Sequence, residues 1–228
     1  VINAIISLTT IPTRIEHIEP CIDSLLAQGL PVYLWAQKKN IVTGEALQRI
    51  PPFLNEKRGL TVTIVDERGP ITKLLPAFED GQMEVITADD DHAYGKNWAA
   101  GLIEGQQKNP GSAICYRGRV FDKSKRYKES EVVIRRNQSV DLITSVWGVF
   151  YRRDFFSDAI FQEWTQWNIN DDIVVSAHLK RRKIPMLVIC VPDGCNITRL
   201  NTAHIDPLYA INVKQNKNDE GLKKVYWK

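Results

Sequence analysis

The sequence predicts an α/β fold in which a mostly parallel central sheet carries helices on both faces and a small second sheet joins it in the C-terminal half. Three observations carry this expectation. Through the first 110 residues, apolar runs of strand length alternate with segments whose apolar residues recur at helical spacing, the order that winds a parallel sheet. The first run, Ile2 to Leu8, is predominantly apolar along its whole length, as a strand covered on both faces must be. Past residue 111 the runs shorten and charged residues interrupt them.

Taken in order, Thr9, Thr10, Pro12 and Thr13 break the first strand. From Arg14 to Gln28, Ile15, Ile18, Ile22, Leu25 and Leu26 mark one helix face, which Gly29 and Pro31 end. Val32 to Trp35 reads as the second strand, and the polar stretch Gln37 to Lys57, broken by Pro51 and Pro52, as a loop with a short helix. Thr61 to Val65 alternates into a third strand ending at Asp66, and Gly69, Pro70 and Thr72 open a short helix through Leu74, Leu75 and Phe78. Glu84 to Thr87 is the fourth strand, and Asn97 to Gln107 is helical up to Pro110 and Gly111. Thereafter Ala113 to Phe121, Val132 to Ile134 and Val146 to Tyr151 read as strands, and Arg153 to Trp164 and Asn170 to Arg182 as helices. Pro185 to Val191 is the last strand, and the Gly-, Asn- and Lys-rich tail from Pro192 reads as loop. No linker divides the chain, so residues 1–228 are read as one domain.

Composition narrows the function. A net charge of +3 and a pI near 8.6 are too mildly basic to argue for a nucleic-acid partner. No apolar run reaches the ~18 residues of a membrane span, and the N-terminal apolar stretch is too short and lacks the basic lead of a signal peptide. The expected location is therefore the cytoplasm, with at most peripheral contact at the membrane face. The absence of an initiator Met is compatible with a piece of a longer protein. Cys21, Cys115, Cys190 and Cys195 are too irregularly spaced for a disulfide framework or a zinc site and are read as reduced thiols, a Cys190 to Cys195 pairing staying open.

The chemistry centres on Met83 to Trp98, MEVITADDDHAYGKNW, where an apolar strand runs into Asp89, Asp90 and Asp91. Adjacent carboxylates repel one another and call for a cation, for which a hard divalent metal is the natural candidate. Alternation along an extended chain points Asp89 and Asp91 the same way and leaves Asp90 as the spare acid. In a parallel sheet, ligands collect outside the carboxyl ends of the strands, where Thr9, Gln37, Asp66 and Asp89 fall.

This strand with its Asp-x-Asp element, the following Tyr94 and a helix carrying Trp98 resemble the metal-binding motif of GT-A glycosyltransferases. Ser7-Leu8-Thr9-Thr10-Ile11-Pro12-Thr13-Arg14 and Asn170-Asp171-Asp172-Ile173 extend the resemblance over nearly the whole chain, family 2-like inverting enzymes being nearest. It implies a GT-A fold with a nucleotide-binding half, 1–110, and an acceptor-side half, 111–228. It further implies a sugar transferred from a nucleotide donor, UDP-linked for preference, to a glycan or glycolipid hydroxyl, with Mn2+ or Mg2+ held by Asp89 and Asp91 against the diphosphate. By the same resemblance Thr9, Thr10 and Arg14 touch the nucleoside, Gln37 and Asp66 approach the uracil edge, Asp90 contributes to the donor site and Lys73 approaches the diphosphate. His204 completes the metal shell, and Trp147 with Gly148 packs against sugar or acceptor. Asp172 is the general base, with Asp171 beside it at the helix start, where an acid also serves as a cap. Two other readings stay open: a nucleotidyltransferase, although SLTTIPTR lacks the glycines of a phosphate loop, and a non-catalytic carbohydrate-binding domain, suggested by six Trp and seven Tyr.

Overall fold

The computed structural model describes residues 3–121, 126–168, 170–206, 212 and 214–227. Its centre is an eight-stranded sheet in the order β3, β2, β1, β4, β11, β6, β12, β9. The strands are β1 (Ile5–Thr10), β2 (Val32–Gln37), β3 (Leu60–Val65), β4 (Glu84–Asp89), β6 (Ala113–Cys115), β9 (Gln138–Ser139), β11 (Val149–Arg152) and β12 (Met186–Val188). β3, β2, β1 and β4 are mutually parallel, and β11 runs antiparallel between β4 and β6. A three-stranded antiparallel sheet joins β7 (Arg117–Val120) to β8 (Glu131–Ile134) and β10 (Leu142–Ile143). The mixed α/β architecture with a mostly parallel central sheet and a smaller second sheet is thus the one expected.

Alternation along the central strands splits the core between the two faces of the sheet. Ile6, Ile86 and Phe150 pack on one side with Ile22 and Leu25 of α1 (Glu19–Leu26) and Trp98 and Leu102 of α4 (Trp98–Lys108). Their neighbours Ile5, Val85 and Val149 pack on the other side with Leu75 and Phe78 of α3 (Leu75–Glu79) and Ile173 to Leu179 of α6 (Asp171–Arg181). A short helix α2 (Pro52–Glu56) precedes β3.

Several elements depart from expectation for local reasons. The run Ala113 to Phe121 is two strands, because the chain turns at Tyr116, whose hydroxyl is anchored on Trp98 O at 2.7 Å, and β7 leaves for the small sheet. The run Val146 to Tyr151 is broken at Gly148, whose φ of 103° ends a 3-10 turn (Ser145–Trp147) before β11 begins. Arg153 to Trp164 is two short pieces, a 3-10 turn (Arg153–Phe155) and α5 (Ile160–Glu163), separated where Phe156 extends to pack on Phe78 and His178. After the acids comes a short strand, β5 (His92–Tyr94), which pairs with β13 (Ile197–Arg199) before α4 starts. The tail also holds α7 (Lys217–Gly221) and a π-helical turn (Leu222–Tyr226), docked through buried Leu222, Val225 and Tyr226. Among the described residues no helix is long and apolar enough to cross a membrane, and all four cysteines are free.

Candidate active site

β1 pairs with β2 on one side and β4 on the other, so the crevice where the strand order reverses opens at the carboxyl ends of β1 and β4. A cavity of about 590 Å³ lies there, within the range of small-molecule sites. Thr9, Thr10, Arg14, Gln37, Lys73, Asp89, Asp90, Asp91, Trp147, Asp171 and Asp172 all line it. Residues far apart in sequence are thus brought together: the end of β1, the loop before α3, the acid turn after β4, and the N-terminus of α6.

The three adjacent acids are each compensated from within the protein. Asp90 is the most enclosed, with both oxygens occupied: Thr10 Oγ1 donates to one at 2.6 Å and Arg14 Nη1 to the other at 2.7 Å. Burial pushes its pKa up, and Arg14 works against that shift. Asp91 meets His92 Nδ1 at 2.6 Å and lies 4.0 Å from Arg14. Burial opposes its ionisation, yet His92 and Arg14 outweigh it and hold its pKa below the ordinary value. Asp89 Oδ1 accepts from Lys73 Nζ at 2.7 Å. The turn itself is pinned by Tyr94, whose hydroxyl accepts from Asp89 N at 2.8 Å while its ring packs on Trp98 with centroids 4.3 Å apart.

Lys73 is the hub between this turn and the second acidic pair. It is buried, and its three ammonium protons face Asp89 at 2.7 Å, Ser145 Oγ at 2.8 Å and Asp171 Oδ2 at 3.1 Å. Burial disfavours its charge, but Asp171, Asp89 and Asp172 overcome this and raise its pKa. Its donors are therefore committed to holding carboxylates together, not presented to an incoming diphosphate. The turn carrying it starts at Gly69, where φ is +71° and a Cβ would lie 2.1 Å from Asn168 O.

At the start of α6, Asn170 is the cap: its side chain accepts from Ile173 N at 3.3 Å. Asp171, expected to share that role, turns to Lys73 instead. Asp172 Oδ1 accepts from both Ser145 N at 2.9 Å and Ser145 Oγ at 2.7 Å. Burial, then the charge of Asp171, raises the Asp172 pKa to about 7, with Lys73 and Ser145 pulling it back.

Gln37 is buried, its amide donating to Thr9 Oγ1 at 3.1 Å and Gly69 O at 3.3 Å, while its side-chain oxygen has no hydrogen-bond partner. This orphaned acceptor lies buried beside the cavity wall, where a shift of the side chain would bring it to a ligand N–H. Thr9 Oγ1 itself donates to Trp35 O at 2.8 Å.

Three expected residues fall outside. Asp66 follows the edge strand β3, two strands from the crevice, where its largely exposed side chain pairs with Lys38 at 2.7 Å. Gly148 makes its close approach to Trp98 and not to a ligand, since a Cβ there would meet the indole at 2.4 Å. His204, itself exposed, ends a 3-10 turn (Asn201–His204) and is not among the lining residues. Others were missed. His92 directly follows the acids, and Arg117 and Arg119, two apart on β7 and hence on one face, enter the cavity wall; that Arg-Gly-Arg spacing was the available signal. Ser145 had none.

No family model and no curated protein sequence matches this chain. The reading of the site therefore rests on its geometry.

For a divalent cation, the described residues hold no converging group of three or more His, Cys, Asp or Glu side chains. Asp89 and Asp91 each use Oδ1 on an internal partner and keep Oδ2 without a hydrogen bond from the described residues, the Oδ2 of Asp91 lying 4.0 Å from Arg14 Nη1. Two such oxygens fit a Mg2+- or Mn2+-like ion whose remaining ligands are water and substrate phosphate, and do not fit an all-protein cage.

Proposed function

We propose that the protein is a GT-A-type glycosyltransferase that moves a sugar from a nucleotide donor, UDP-linked for preference, to a glycan hydroxyl with inversion at the anomeric carbon. The observation that carries this reading is the pairing, in one cavity, of a cation-compatible acid turn at the end of β4 with a carboxyl of pKa about 7 at the start of α6. A base poised near neutrality is matched to deprotonating a hydroxyl at physiological pH.

In this reading the donor lies across the ends of β1, β2 and β4. The unpartnered oxygen of Gln37 accepts an N–H from the base edge, as the imide of uracil would supply. Mn2+ or Mg2+ bound at Asp89 and Asp91 would supply charge neutralisation for the leaving diphosphate. Asp172, oriented by the two Ser145 bonds on Oδ1, presents Oδ2 to the acceptor hydroxyl. The hydroxyl proton passes to Asp172 as its oxygen bonds the anomeric carbon and the bond to the diphosphate breaks. Lys73 keeps Asp171 and Asp89 from repelling one another and fixes the distance between the two acidic groups. The test is direct binding: a nucleoside diphosphate titrated against the protein with and without Mn2+ should bind at least tenfold more tightly with the ion, and Asp91→Ala should remove that enhancement. A metal enhancement that persists undiminished in Asp91→Ala would overturn the reading.

A further inference from the structure

The cavity also contains a cationic pair, Arg117 and Arg119. Arg117 lines it, half-buried, with its guanidinium 5.9 Å from the centre of the Trp147 ring and no carboxylate of the described residues within ion-pair distance. Arg119, on the same face of β7, stacks on Tyr127 at 4.1 Å and donates through Nη1 to Tyr127 O and Ser130 Oγ, while its Nε is buried without a partner. Two guanidiniums side by side in a partly buried wall are costly without an anion. Accordingly burial, then the like charge of Arg119, depresses the Arg117 pKa. Arg14, which lines the same crevice, differs in having Asp90 as its partner.

The pair sits on the acceptor side. Asp172 is the carboxylate whose charge reaches Arg117, whereas the acid turn feels Arg14, His92 and Lys73. A second cavity of about 300 Å³ opens beside the first, and Arg119, Tyr127 and Asn218 line both. Lys128 lies on its wall. In sequence, the segment from Arg117 to Arg136 carries eight Lys or Arg against three Asp or Glu, a local excess of basic residues in a chain whose net charge is only +3.

We propose that Arg117 and Arg119 bind an anionic group, carboxylate or phosphate, carried by the acceptor saccharide next to the hydroxyl that Asp172 activates, the remainder of the acceptor running out through the second cavity. This rests on the glycosyltransferase reading for the role of Asp172. Planar guanidiniums are suited to both anions, which they grip through paired N–H donors.

The test reads saccharide and nucleotide binding separately, by the intrinsic tryptophan fluorescence to which Trp147 contributes. The probes are three oligosaccharides of equal length, one neutral, one bearing uronic-acid carboxylates and one bearing phosphates, with UDP as the nucleotide. The wild type should bind at least one charged oligosaccharide roughly tenfold or more tightly than the neutral one, and which of the two wins identifies the anion. Arg117→Gln and Arg119→Gln should each erase most of that preference, Arg117→Lys should retain part of it, and UDP affinity should stay within about twofold in all three. Equal binding of neutral and charged oligosaccharides, or binding of none, overturns the proposal. So does a loss of UDP affinity in the arginine variants, which would assign the pair to the donor. Failure of UDP to bind the wild type, with the charged preference intact, would sink the transferase reading while leaving the anion site standing.

Discussion

Replacing Asp172 by Asn should make the protein more stable at neutral and alkaline pH while disabling it. The Asp172 carboxyl has its pKa raised to about 7, first by burial and then by Asp171, against about 3.9 in an unfolded chain. A raised acid binds its proton more tightly in the folded state, so wild-type stability falls as pH rises from the unfolded value through the folded one. About three units at 1.36 kcal/mol each give a loss of at most roughly 4 kcal/mol, complete above pH 7. Asn carries no charge, and its carbonyl oxygen can accept the two bonds that Ser145 now donates to Oδ1. The two proteins should therefore differ little at pH 4 and diverge to as much as ~4 kcal/mol in favour of Asp172→Asn at pH 8, on the order of 8 to 16 °C in melting temperature. Urea unfolding of both proteins at half-unit steps from pH 4 to 8 measures this. A stability difference that stays flat across that range, or that favours the wild type at pH 8, would refute the reasoning that Asp172 is held near neutrality by its surroundings.

The same carboxyl sets the activity. Transfer should be lost by roughly 10² to 10⁴ in Asp172→Asn, with donor affinity kept, because the amide cannot take the acceptor proton; steady-state rates and donor titrations separate the two effects. In the wild type, kcat/KM should rise with pH through about 7, since the base works ionised. Asp171→Asn should retain most turnover and move that rising limb to lower pH, because removing the neighbouring charge makes Asp172 easier to ionise. Lys73→Met should destabilise by about 3 to 5 kcal/mol at pH 7, leaving Asp89 and Asp171 in the wall without their cation, as denaturant unfolding would show.

The fold was legible where burial leaves a periodic trace. β1, β2 and β4 announce themselves as apolar runs because helices cover both faces, and α1 shows its Ile and Leu stripe because a single face is buried. The C-terminal half was harder because its breaks depend on single tertiary contacts. Tyr116 ends β6 by reaching Trp98, and Gly148 bends the chain because that same indole fills the space where a Cβ would be. The docked tail was hidden because Leu222, Val225 and Tyr226 sit among lysines and asparagines. In the site, Asp89 to Asp91 and Asp171 to Asp172 stand out as acid clusters, but the cations that balance them come from elsewhere in the chain. Lys73 pairs with Asp89 and Arg14 with Asp90, contacts that depend on residues distant in the chain and leave no trace in the spacing of the acids. Asp66 shows the limit of reading strand ends alone: its position is right, but its strand is at the edge of the sheet.

The most direct test of the central claim is nucleotide release from a panel of nucleotide sugars, with saccharide acceptors and Mn2+ or Mg2+ present, by the wild type and by Asp172→Asn. The account predicts release of a nucleoside diphosphate from at least one donor, with a UDP-sugar the first expectation, suppressed by chelation and reduced at least a hundredfold in Asp172→Asn while that donor still binds. Release from no donor, or release at the wild-type rate by Asp172→Asn, would contradict it.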